Sequence, residues 1–448
     1  MESKWIKYRL GDIATFSYGK MPKKELIGLG KYVVFSGYKY TDSYPEKNLS
    51  VGDLIVVARG VGGTGDVKIA NQDCYLTNLS IKIDLDDKII RKEYFYYQFK
   101  QNTLRYLDSG SAQSQITIND LSNIEVVAPL PEVQDSIIEK LRNLDKKIVI
   151  NTSINQTLEQ MSQTLFKSWF VDFDPVIDNS LDAGHPIPEA LQSRAELRQK
   201  VRNSADFKPL PADIRALFPA EFEETELGWV PKGWDVVKTE DIAIKIGMGP
   251  FGSNIKASQF VSSGIPIING QQLKGFILEE NFINYITDEH ANILKNSLVY
   301  EHDIVLTHRG TLGQVSLIPK RKGNKKFVIS QSQFYLRVDR KKCSPFYMIH
   351  FLKSRIGQEA LLSNASQVGV PSIARPSTHL KKINFINPPL SLHKLFDNEF
   401  EVILEKFMNC KEQSLALTAL RDTLLPKLIS GELSLEDLPD LVTQTEPA

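Results

Sequence analysis

The sequence predicts an α+β protein built as a tandem repeat, in which two mixed α/β halves are each followed by a long helix. Two observations predict this class: short motifs recur along the chain, and two heptad patterns occupy matching places in the two copies. A chain of 448 residues is also too long for one ordinary core. Its 42% hydrophobic and 24% charged residues are typical of globular domains.

Three pairs of segments make the repeat visible. Trp and Asp-Ile-Ala match between Trp5–Ala14 and Trp234–Ala243 at an offset of 229 (234 − 5). The offset is 250 (303 − 53) between Asp53–Gly60 and Asp303–Gly310. It is 259 (380 − 121) between Leu121–Ile124 and Leu380–Ile383. The offset of 250 also carries Gly63 onto Gly313. Because the offset only grows between these pairs, we expect insertions in loops of the second copy.

Each copy ends in a predicted long helix, over residues 131–173 and 389–433. Residues in both recur at spacings that alternate between four and three, as in a coiled-coil seam. The first seam is Ile137, Leu141, Leu144, Ile148, Asn151, Asn155, Leu158 and Leu165, and adding 259 gives the second, Phe396, Phe400, Ile403, Phe407, Cys410, Ser414, Leu417 and Leu424. The common offset favours packing of the two helices on each other, with Asn151 and Asn155 fixing the register. The alternative is that each helix packs separately on its own domain.

The two α/β halves, residues 1–130 and 231–388, contain short strand-like and helical runs. The strand-like runs are Val51–Ala58, Leu79–Ile83, Ile304–Thr307 and Phe334–Val338, and the aromatic helical runs are Lys92–Lys100 and Pro345–Lys353. Residues 174–230 are punctuated by proline and carry one predicted helix, Glu189–Arg202. We interpret them as a connector between the copies, and residues 434–448 as a C-terminal tail.

Composition restricts the class of function. Lys+Arg and Asp+Glu both number 54, so the chain is not a nucleic-acid binder that acts by charge alone. A sequence-reading protein whose partners supply positive charge is still allowed. Cys74, Cys343 and Cys410 are far apart, which argues against a zinc ribbon or a disulfide scaffold and suits a reducing cytoplasm. With no apolar run near 18 residues and no signal-peptide pattern, we expect a soluble, cytoplasmic protein.

Two catalytic motifs are tested and set aside. Gly60–Gly65 fits G-x-G-x-x-G, but a strand-like run follows it where a dinucleotide site needs a helix, and Asp66 would repel a phosphate. A tight glycine turn between strands accounts for it better. Asn387-Pro-Pro-Leu390 is similar to the Asn-Pro-Pro-aromatic motif of amino-methyltransferases but lacks the aromatic residue, so a rigid strand-to-helix corner is the better interpretation. We expect no catalytic residue and no metal site.

Three longer motifs resemble the specificity subunit of type I restriction–modification enzymes. They are Gln163–Pro175 (QTLFKSWFVDFDP), the run from Leu217 to Trp234, and Leu420–Leu433 (LRDTLLPKLISGEL). The resemblance covers essentially the whole chain in the order of its parts: an α/β half, a long helix, and the same two parts again. It implies two target recognition domains in tandem, separated by two long helices that form an antiparallel coiled coil.

The resemblance also implies a function. Each recognition domain would read one half-site of an asymmetric, bipartite DNA target, mainly in the major groove, with the helices as a spacer. Catalysis would belong to partners: two methyltransferase subunits and two ATP-driven restriction subunits. This chain would bind no cofactor, and S-adenosylmethionine, ATP and Mg²⁺ would be bound by the partner subunits.

Candidate DNA contacts are polar side chains in predicted loops and turns, since base edges are read by hydrogen-bonding groups. The first half contributes Arg59, Thr64, Lys68, Gln113 and Ser114. The second half contributes Ser253, Asn254, Lys256, Arg309, Thr311, Gln331, Gln333, Ser366 and Gln367. Arg59 and Arg309 correspond at the offset of 250, and Ser366, Gln367 and Ser372 resemble Ser111, Gln113 and Ser114 in placement.

Two other functions are weighed against DNA reading. A stand-alone adenine methyltransferase would need a glycine loop before a helix and an aromatic residue after Asn-Pro-Pro, and both are missing. A coiled-coil scaffold without a DNA role would make binding of DNA by the assembled complex independent of the recognition halves.

Overall fold

A computed structural model describes residues 5–37, 39–60, 63–108, 114–320, 326–366 and 369–433, with only the backbone of Ser253. The chain divides into two units: unit 1 is Met1–Ser153 with Asn409–Ala448, and unit 2 is Ile154–Met408. Each unit therefore contains one α/β half and one part of each long helix. No helix in the described ranges is long and apolar enough to cross a membrane.

Unit 1 contains a four-stranded antiparallel sheet in the order β2-β8-β5-β6, a three-stranded sheet β4-β3-β7, and the pair β1-β9. The strands are β1 (Ile6–Arg9), β2 (Ala14–Tyr18), β3 (Tyr32–Ser36), β4 (Lys39–Tyr44), β5 (Leu54–Val57), β6 (Val67–Ile69), β7 (Cys74–Leu76), β8 (Ser80–Leu85) and β9 (Glu125–Ala128). The helices of the first copy are α1 (Leu10–Ile13), α2 (Lys92–Gln98), α3 (Ile118–Ser122) and α4 (Pro131–Phe170), the last of which continues into unit 2.

Unit 2 begins within α4 and continues through the connector. The connector contains α5 (Asp174–Ala183), α6 (Gln192–Arg202), α7 (Ala212–Arg215) and the hairpin of β10 (Phe222–Thr225) with β11 (Gly228–Pro231). The predicted helix Glu189–Arg202 is confirmed as a 3-10 turn followed by α6. Arg194 and Arg198 on α6 each form a two-pronged ion pair with a carboxylate four residues apart on α5, Asp174 and Asp178. The connector is therefore held by paired charges on facing helices.

The second α/β half repeats the sheets of the first. Its strands are β12 (Asp235–Lys238), β13 (Ala243–Met248), β14 (Ile265–Ile268), β15 (Tyr285–Ile286), β16 (Leu298–Val299), β17 (Ile304–Thr307), β18 (Val315–Leu317), β19 (Phe327–Ile329), β20 (Gln333–Val338), β21 (Ala365–Ser366), β22 (Ser372–Ile373) and β23 (Asn384–Asn387). Its helices are α8 (Asp288–Ile293), α9 (Pro345–Lys353), α10 (Arg355–Leu362), α11 (Pro376–Lys381) and α12 (Leu390–Ser430). The sheet β13-β20-β17-β18 matches β2-β8-β5-β6, and the pair β12-β23 matches β1-β9.

Strand register corrects one part of the sequence alignment. Val67 pairs with Val56 in the first copy, and Val315 pairs with Leu306 in the second. The offset is therefore 250 on one strand of this hairpin (306 − 56) but 248 on the other (315 − 67). The predicted match of Gly63 with Gly313 was wrong, because the turn is two residues shorter in the second copy and Gly65 is the counterpart. Both of these glycines have positive φ, 91° and 80°.

The two long helices pair in an antiparallel direction within each unit. In unit 1, Leu141 of α4 and Leu425 of α12 lie in one buried apolar cluster, and further along α4, Asn151 contacts Cys410. In unit 2, Phe166 of α4 lies 5.9 Å from Phe396 of α12, measured between ring centroids. Residue numbers thus rise along one helix as they fall along the other. This confirms the predicted coiled coil against the alternative of two separately packed helices.

A polar contact interrupts the apolar seam in unit 1. Asn151 is 1% exposed, and its Nδ2 donates to Oε1 of Gln413 at 2.8 Å and to the carbonyl of Cys410 at 3.4 Å. Asn151 and Cys410 occupy equivalent positions in the two copies of the seam, so the contact joins equivalent points of the two long helices. A buried amide with a specific partner favours one register over its neighbours, as predicted for Asn151. The Oδ1 of Asn155 is buried and has no hydrogen-bond partner among the described residues, so the same role for Asn155 stays a prediction.

Candidate nucleic-acid interface

Unit 2 contains an open polar concavity of about 330 Å³ beside the ends of β17 and β20. It is lined by Asn269, Gly270, Gln271, Lys274, Thr307, Arg309, Thr311, Gln314, Ser330, Ser332 and Gln333. Every lining residue except Gly270 carries a hydrogen-bonding side chain, and the basic groups are Lys274 and Arg309. Such a surface suits a ligand that offers both negative charge and hydrogen-bonding edges.

Arg309 is held at this concavity by its backbone. It follows β17 and forms a bridge with Ser372, while the N–H of Gly310 donates to the carbonyl of Pro371 at 2.9 Å. Gly310 has φ of 97°, a conformation that glycine adopts without steric cost. The Arg309 side chain is exposed. A fixed backbone thus carries a guanidinium that can reach an external partner.

The floor of the concavity is fixed by internal hydrogen bonds. Oγ1 of Thr307 donates to Oε1 of Gln314 at 3.2 Å, and Nε2 of Gln314 donates to the carbonyl of Gly270 at 3.0 Å. Gln333, predicted as a DNA contact, is 1% exposed and its Oε1 accepts from the hydroxyl of Ser330. The amide of Gln333 therefore helps to hold the floor of the concavity in place. The lining residues that are exposed are Arg309, Thr311, Gln271 and Lys274.

Beside the concavity, His308 ties the end of β17 to the segment before β20. Its Nε2 lies 3.1 Å from the carbonyl of Gln331, which can only accept a hydrogen bond. Burial lowers the pKa of His308 below its usual 6.5. The ring is therefore neutral at pH 7 and adds no charge next to Arg309.

The glycine-rich loop before β14 approaches Gln331. A Cβ placed on Gly252 would lie 2.7 Å from Oε1 of Gln331, so the loop and the end of this side chain are close neighbours. Asn254 and Lys256 in the same loop are exposed, as is Gln331. The structure thus brings the predicted residues Asn254, Lys256 and Gln331 to one region, while the side chain of Ser253 lies outside what is described.

The last two predicted contacts of the second half are Ser366 and Gln367. Ser366 is exposed in β21, and its backbone pairs with Ser372, the bridge partner of Arg309. Gln367 lies outside the described residues. Ser366 is therefore one strand away from the arginine turn.

Unit 1 repeats the arginine turn. Arg59 follows β5 and forms a bridge with Gln115, as Arg309 does with Ser372, and the N–H of Arg59 donates to the carbonyl of Leu79 at 3.0 Å. Gly60 has φ of 140°. Its counterpart is thus Gly310, and Gln115 rather than Ser114 corresponds to Ser372. The Nε of Arg59 is buried and has no hydrogen-bond partner among the described residues.

The other predicted DNA contacts of the first half lie at separate places in unit 1 and do not form one group. Thr64 is 4% exposed, and its hydroxyl donates to the carbonyl of Gly60 at 2.9 Å, which closes the turn. Ser114 donates to the carboxylate of Asp108 at 2.5 Å. Lys68 pairs with Ile55 in the middle of the hairpin, so the structure does not bring it to the Arg59 turn. Gln113 lies outside the described residues.

The two motifs set aside as catalytic occupy structural positions. Gly60–Gly65 joins the antiparallel strands β5 and β6, as predicted for a turn. Asn387 ends β23 just before α12, and its Oδ1 accepts from Nε2 of His393 at 2.9 Å. This confirms the predicted strand-to-helix corner.

Comparison with known proteins decides the family. The profile of the "Type I restriction modification DNA specificity domain" matches residues 2–160 and 231–413. The chain belongs to this family. The two matches of the specificity domain coincide with the two copies, each extending from its α/β half into the following long helix.

Relatives of the specificity-domain family align over most of the chain. The chain is 25% identical over 468 residues to the type I restriction enzyme HindI specificity subunit of Haemophilus influenzae, covering 96% of this chain and 100% of the relative. It is 26% identical over 356 residues to the type I restriction enzyme MjaIX specificity subunit of Methanocaldococcus jannaschii, covering 77% and 70%. The crystal structure of a type I S subunit from M. genitalium shares the fold, with a TM-score of 0.55, 17% identity, and coverage of 95% and 96%.

Sequence reasoning missed part of the site of the second specificity domain. Asn269, Gln271 and Lys274 line the concavity from a 3-10 turn directly after β14. The available signal is the polar run Asn-Gly-Gln-Gln after the apolar strand Ile265–Ile268. Position along the chain alone does not show that this turn lies beside Arg309.

Proposed function

We propose that this chain reads DNA for a type I restriction–modification complex, with one recognition domain for each half-site of a bipartite target. The observation that carries the proposal is the duplicated turn, which places Arg59 and Arg309 after equivalent strands and bridges each to an equivalent segment. Arginine recognises guanine through two hydrogen bonds to O6 and N7 in the major groove. Arg309 with Thr311 would read base edges, and Lys274 would contact phosphate.

The two half-sites should differ in sequence, because corresponding positions around the two turns carry different side chains. Thr307 and Gln314 in the floor of the second domain correspond to Val57 and Asp66 in the first, at offsets of 250 and 248. Lys274 lies in an insertion that the first copy lacks. Different hydrogen-bonding groups on one scaffold select different bases, so the target as a whole is asymmetric.

The remaining parts of the complex would come from companion chains. We propose two methyltransferase subunits and two restriction subunits as partners, with S-adenosylmethionine, ATP and Mg²⁺ bound by them. The formal charge of zero supports this division, because the chain has no cationic excess with which to neutralise a long stretch of DNA backbone. Companion chains would then supply part of the phosphate contact.

The test is Arg309→Gln in the assembled complex, with Arg355→Gln as the matched control. Arg355 lies on α10 of the same unit, its side chain is 85% exposed, and it pairs only with Glu359 one helical turn away among the described residues. Binding is measured on the target and on every single-base variant of it, at several salt concentrations. We expect Arg309→Gln to relax the preference at one base pair by about 1–3 kcal/mol and Arg355→Gln to leave it unchanged. Equal weakening on all DNAs would show a phosphate contact instead, and no weakening would remove Arg309 from the interface.

A further inference from the structure

The edge of the second recognition sheet is covered by a segment of the chain itself. Residues Phe276–Leu278 run parallel to β18: the N–H of Leu317 donates to the carbonyl of Phe276 at 3.0 Å, and the N–H of Leu278 donates to the carbonyl of Leu317 at 2.9 Å. The hydroxyl of Ser316 donates to the carbonyl of Gly275 at 2.7 Å. The segment thus adds to the sheet beyond its outermost regular strand.

The first copy lacks this segment. Phe35 in β3 corresponds to Ile268 in β14, an offset of 233, whereas Leu54 in β5 corresponds to Ile304 in β17, an offset of 250. The second copy therefore has 17 more residues between these strands (250 − 233), and Phe276–Leu278 lie within this longer stretch. Within the part of the chain that the structure describes, no equivalent segment covers the first sheet.

Strand β6 is consequently an open edge of the sheet as far as the described residues go. The N–H of Ala70 donates to the carbonyl of Asp53 at 2.9 Å, and the carbonyl of Ala70 accepts from the N–H of Gly52 at 2.8 Å, so both groups of Ala70 face the β5 side of the hairpin. Since bonding alternates along an antiparallel strand, the N–H and carbonyl of Ile69 point away from β5. None of the described residues pairs with these two groups. Ile69 is the counterpart of Leu317, whose same two groups bind the covering segment.

A cleft of about 580 Å³ lies beside this open edge. Phe35 and Tyr40 line it together with β6, and Tyr96, Phe99 and Lys100 line it from α2 and the residues that follow. The ammonium of Lys68 lies 5.9 Å from the Phe35 ring. The cleft thus combines aromatic walls with two lysines and one acidic side chain, that of Asp66.

In the second copy, Phe276 of the covering segment packs on α9, the helix that corresponds to α2. The ring of Phe276 lies 4.5 Å from His350, between ring centroids, and the Lys353 ammonium lies 5.5 Å from the centre of the Phe276 ring. Helices α2 and α9 align at an offset of 253, so Lys353 corresponds to Lys100. In the first copy, Lys100 is instead placed over Tyr96 and Tyr97, at 5.3 Å from each ring.

We propose that the cleft beside β6 binds an extended segment of a companion protein subunit, which joins the sheet as a parallel strand. The chain's own segment Lys274–Glu280 (KGFILEE) is the chemical template: an aromatic residue, two aliphatic residues and an acidic flank. Main-chain hydrogen bonds to Ile69 hold the segment, the cleft accepts the aromatic ring, and Lys68 attracts the acidic flank. The identification of the occupant as a companion subunit rests on the proposed function, whereas the addition of a strand does not.

A synthetic peptide of the sequence KGFILEE tests strand addition on the full chain. We expect saturable binding by fluorescence anisotropy and slower hydrogen exchange at the amide of Ile69. Lys68→Glu should weaken binding at least tenfold, while Lys146→Glu, the same charge change at an exposed position on α4, should not. Ile69→Pro removes the edge donor and should abolish binding, and a peptide with alanine for phenylalanine should bind at least tenfold more weakly. Equal effects of Lys68→Glu and Lys146→Glu, or exchange changes only at Phe276–Leu278, would overturn the proposal.

Hydrogen exchange of the assembled complex tests the occupant. We expect exchange at Ile69 to slow at least tenfold when the companion subunits are added, and the same subunits to displace labelled KGFILEE from the full chain, seen as a fall in its fluorescence anisotropy. Slowing that requires DNA, or no slowing in a complex that has assembled, would overturn the proposal. A complex that assembles but reads no specific DNA would contradict the proposed function alone, because the peptide experiment does not depend on it.

Discussion

Asp145→Asn is expected to lower the free energy of unfolding of unit 1 by about 3 kcal/mol. The carboxylate of Asp145 accepts hydrogen bonds from Nζ of Lys100 at 2.7 Å, Nη1 of Arg421 at 2.7 Å and the hydroxyl of Tyr97 at 2.9 Å. It therefore joins α2 and α12 to α4. This one side chain anchors the first recognition half on both long helices of its unit.

The magnitude follows from the burial of the partners. Removing one member of a buried ion pair costs about 3–5 kcal/mol, because the other charge is left unpaired. The side chains of Lys100 and Arg421 are 21% and 16% exposed, and Arg421 keeps a contact with Asp422 at 2.7 Å. Water and Asp422 recover part of the loss, which places the expected cost at the lower end, about 3 kcal/mol.

Native-state hydrogen exchange of the β5 amides is the assay, because a chain with two units need not unfold in one step. The control is Glu125→Gln, which removes an exposed pair with Lys7 at 3.4 Å and should cost under about 0.5 kcal/mol. Burial acts to raise the pKa of Asp145, but its hydrogen bonds from Lys100 and Arg421 outweigh burial and lower it below 3.8. The stabilisation is thus present above pH 3.8 and shrinks as pH falls further. Equal exchange rates in the two variants at pH 7 would refute this anchoring role.

Three further predictions concern the seam, acid sensitivity and the glycine turns. Asn151→Leu should leave the free energy of unfolding within about 1 kcal/mol of wild type while allowing a second register, seen as doubled resonances of labelled Gln413 in NMR spectra. Burial lowers the pKa of His350 from 6.5 to about 3, so the unfolded chain gains a proton that the folded one does not below pH 6.5. Between pH 6.5 and 5 the free energy of unfolding should therefore fall by about 2 kcal/mol more in wild type than in His350→Gln, in denaturant titrations at each pH. Gly65→Ala should lower the midpoint of thermal unfolding more than Gly310→Ala, since both have positive φ but only at Gly65 would the Cβ meet backbone, at 2.3 Å.

The repetitive parts of this fold could be predicted from the sequence. Duplication reveals equivalent elements without homologues, and the heptads of the two seams share one offset, so packing of the two helices on each other follows from the pattern. Their antiparallel direction was predicted from the family resemblance, because a shared offset does not determine direction. The turn at Gly60 and the corner at Asn387 were also predictable, because glycine and proline restrict the backbone locally.

The details of the candidate site depend on contacts between distant residues. Strand β20 is almost entirely buried on both faces, so alternation does not reveal that Gln333 points into the floor of the concavity. The pairing of Phe276–Leu278 with β18 joins segments about 40 residues apart, and no local signal marks it. The same limitation explains why the sequence does not show that Lys68 lies beside the cleft at β6.

The most direct test of the central claim is a map of methylated adenines made with a chimeric chain. Residues 1–130 are replaced by those of another family member that reads a different target, and the chimera is assembled with the methyltransferase subunits. If each recognition domain reads its own half-site, one half of the methylated sequence changes and the other half, with its spacing, stays the same. Methylation in which both halves change, or neither does, would contradict the account.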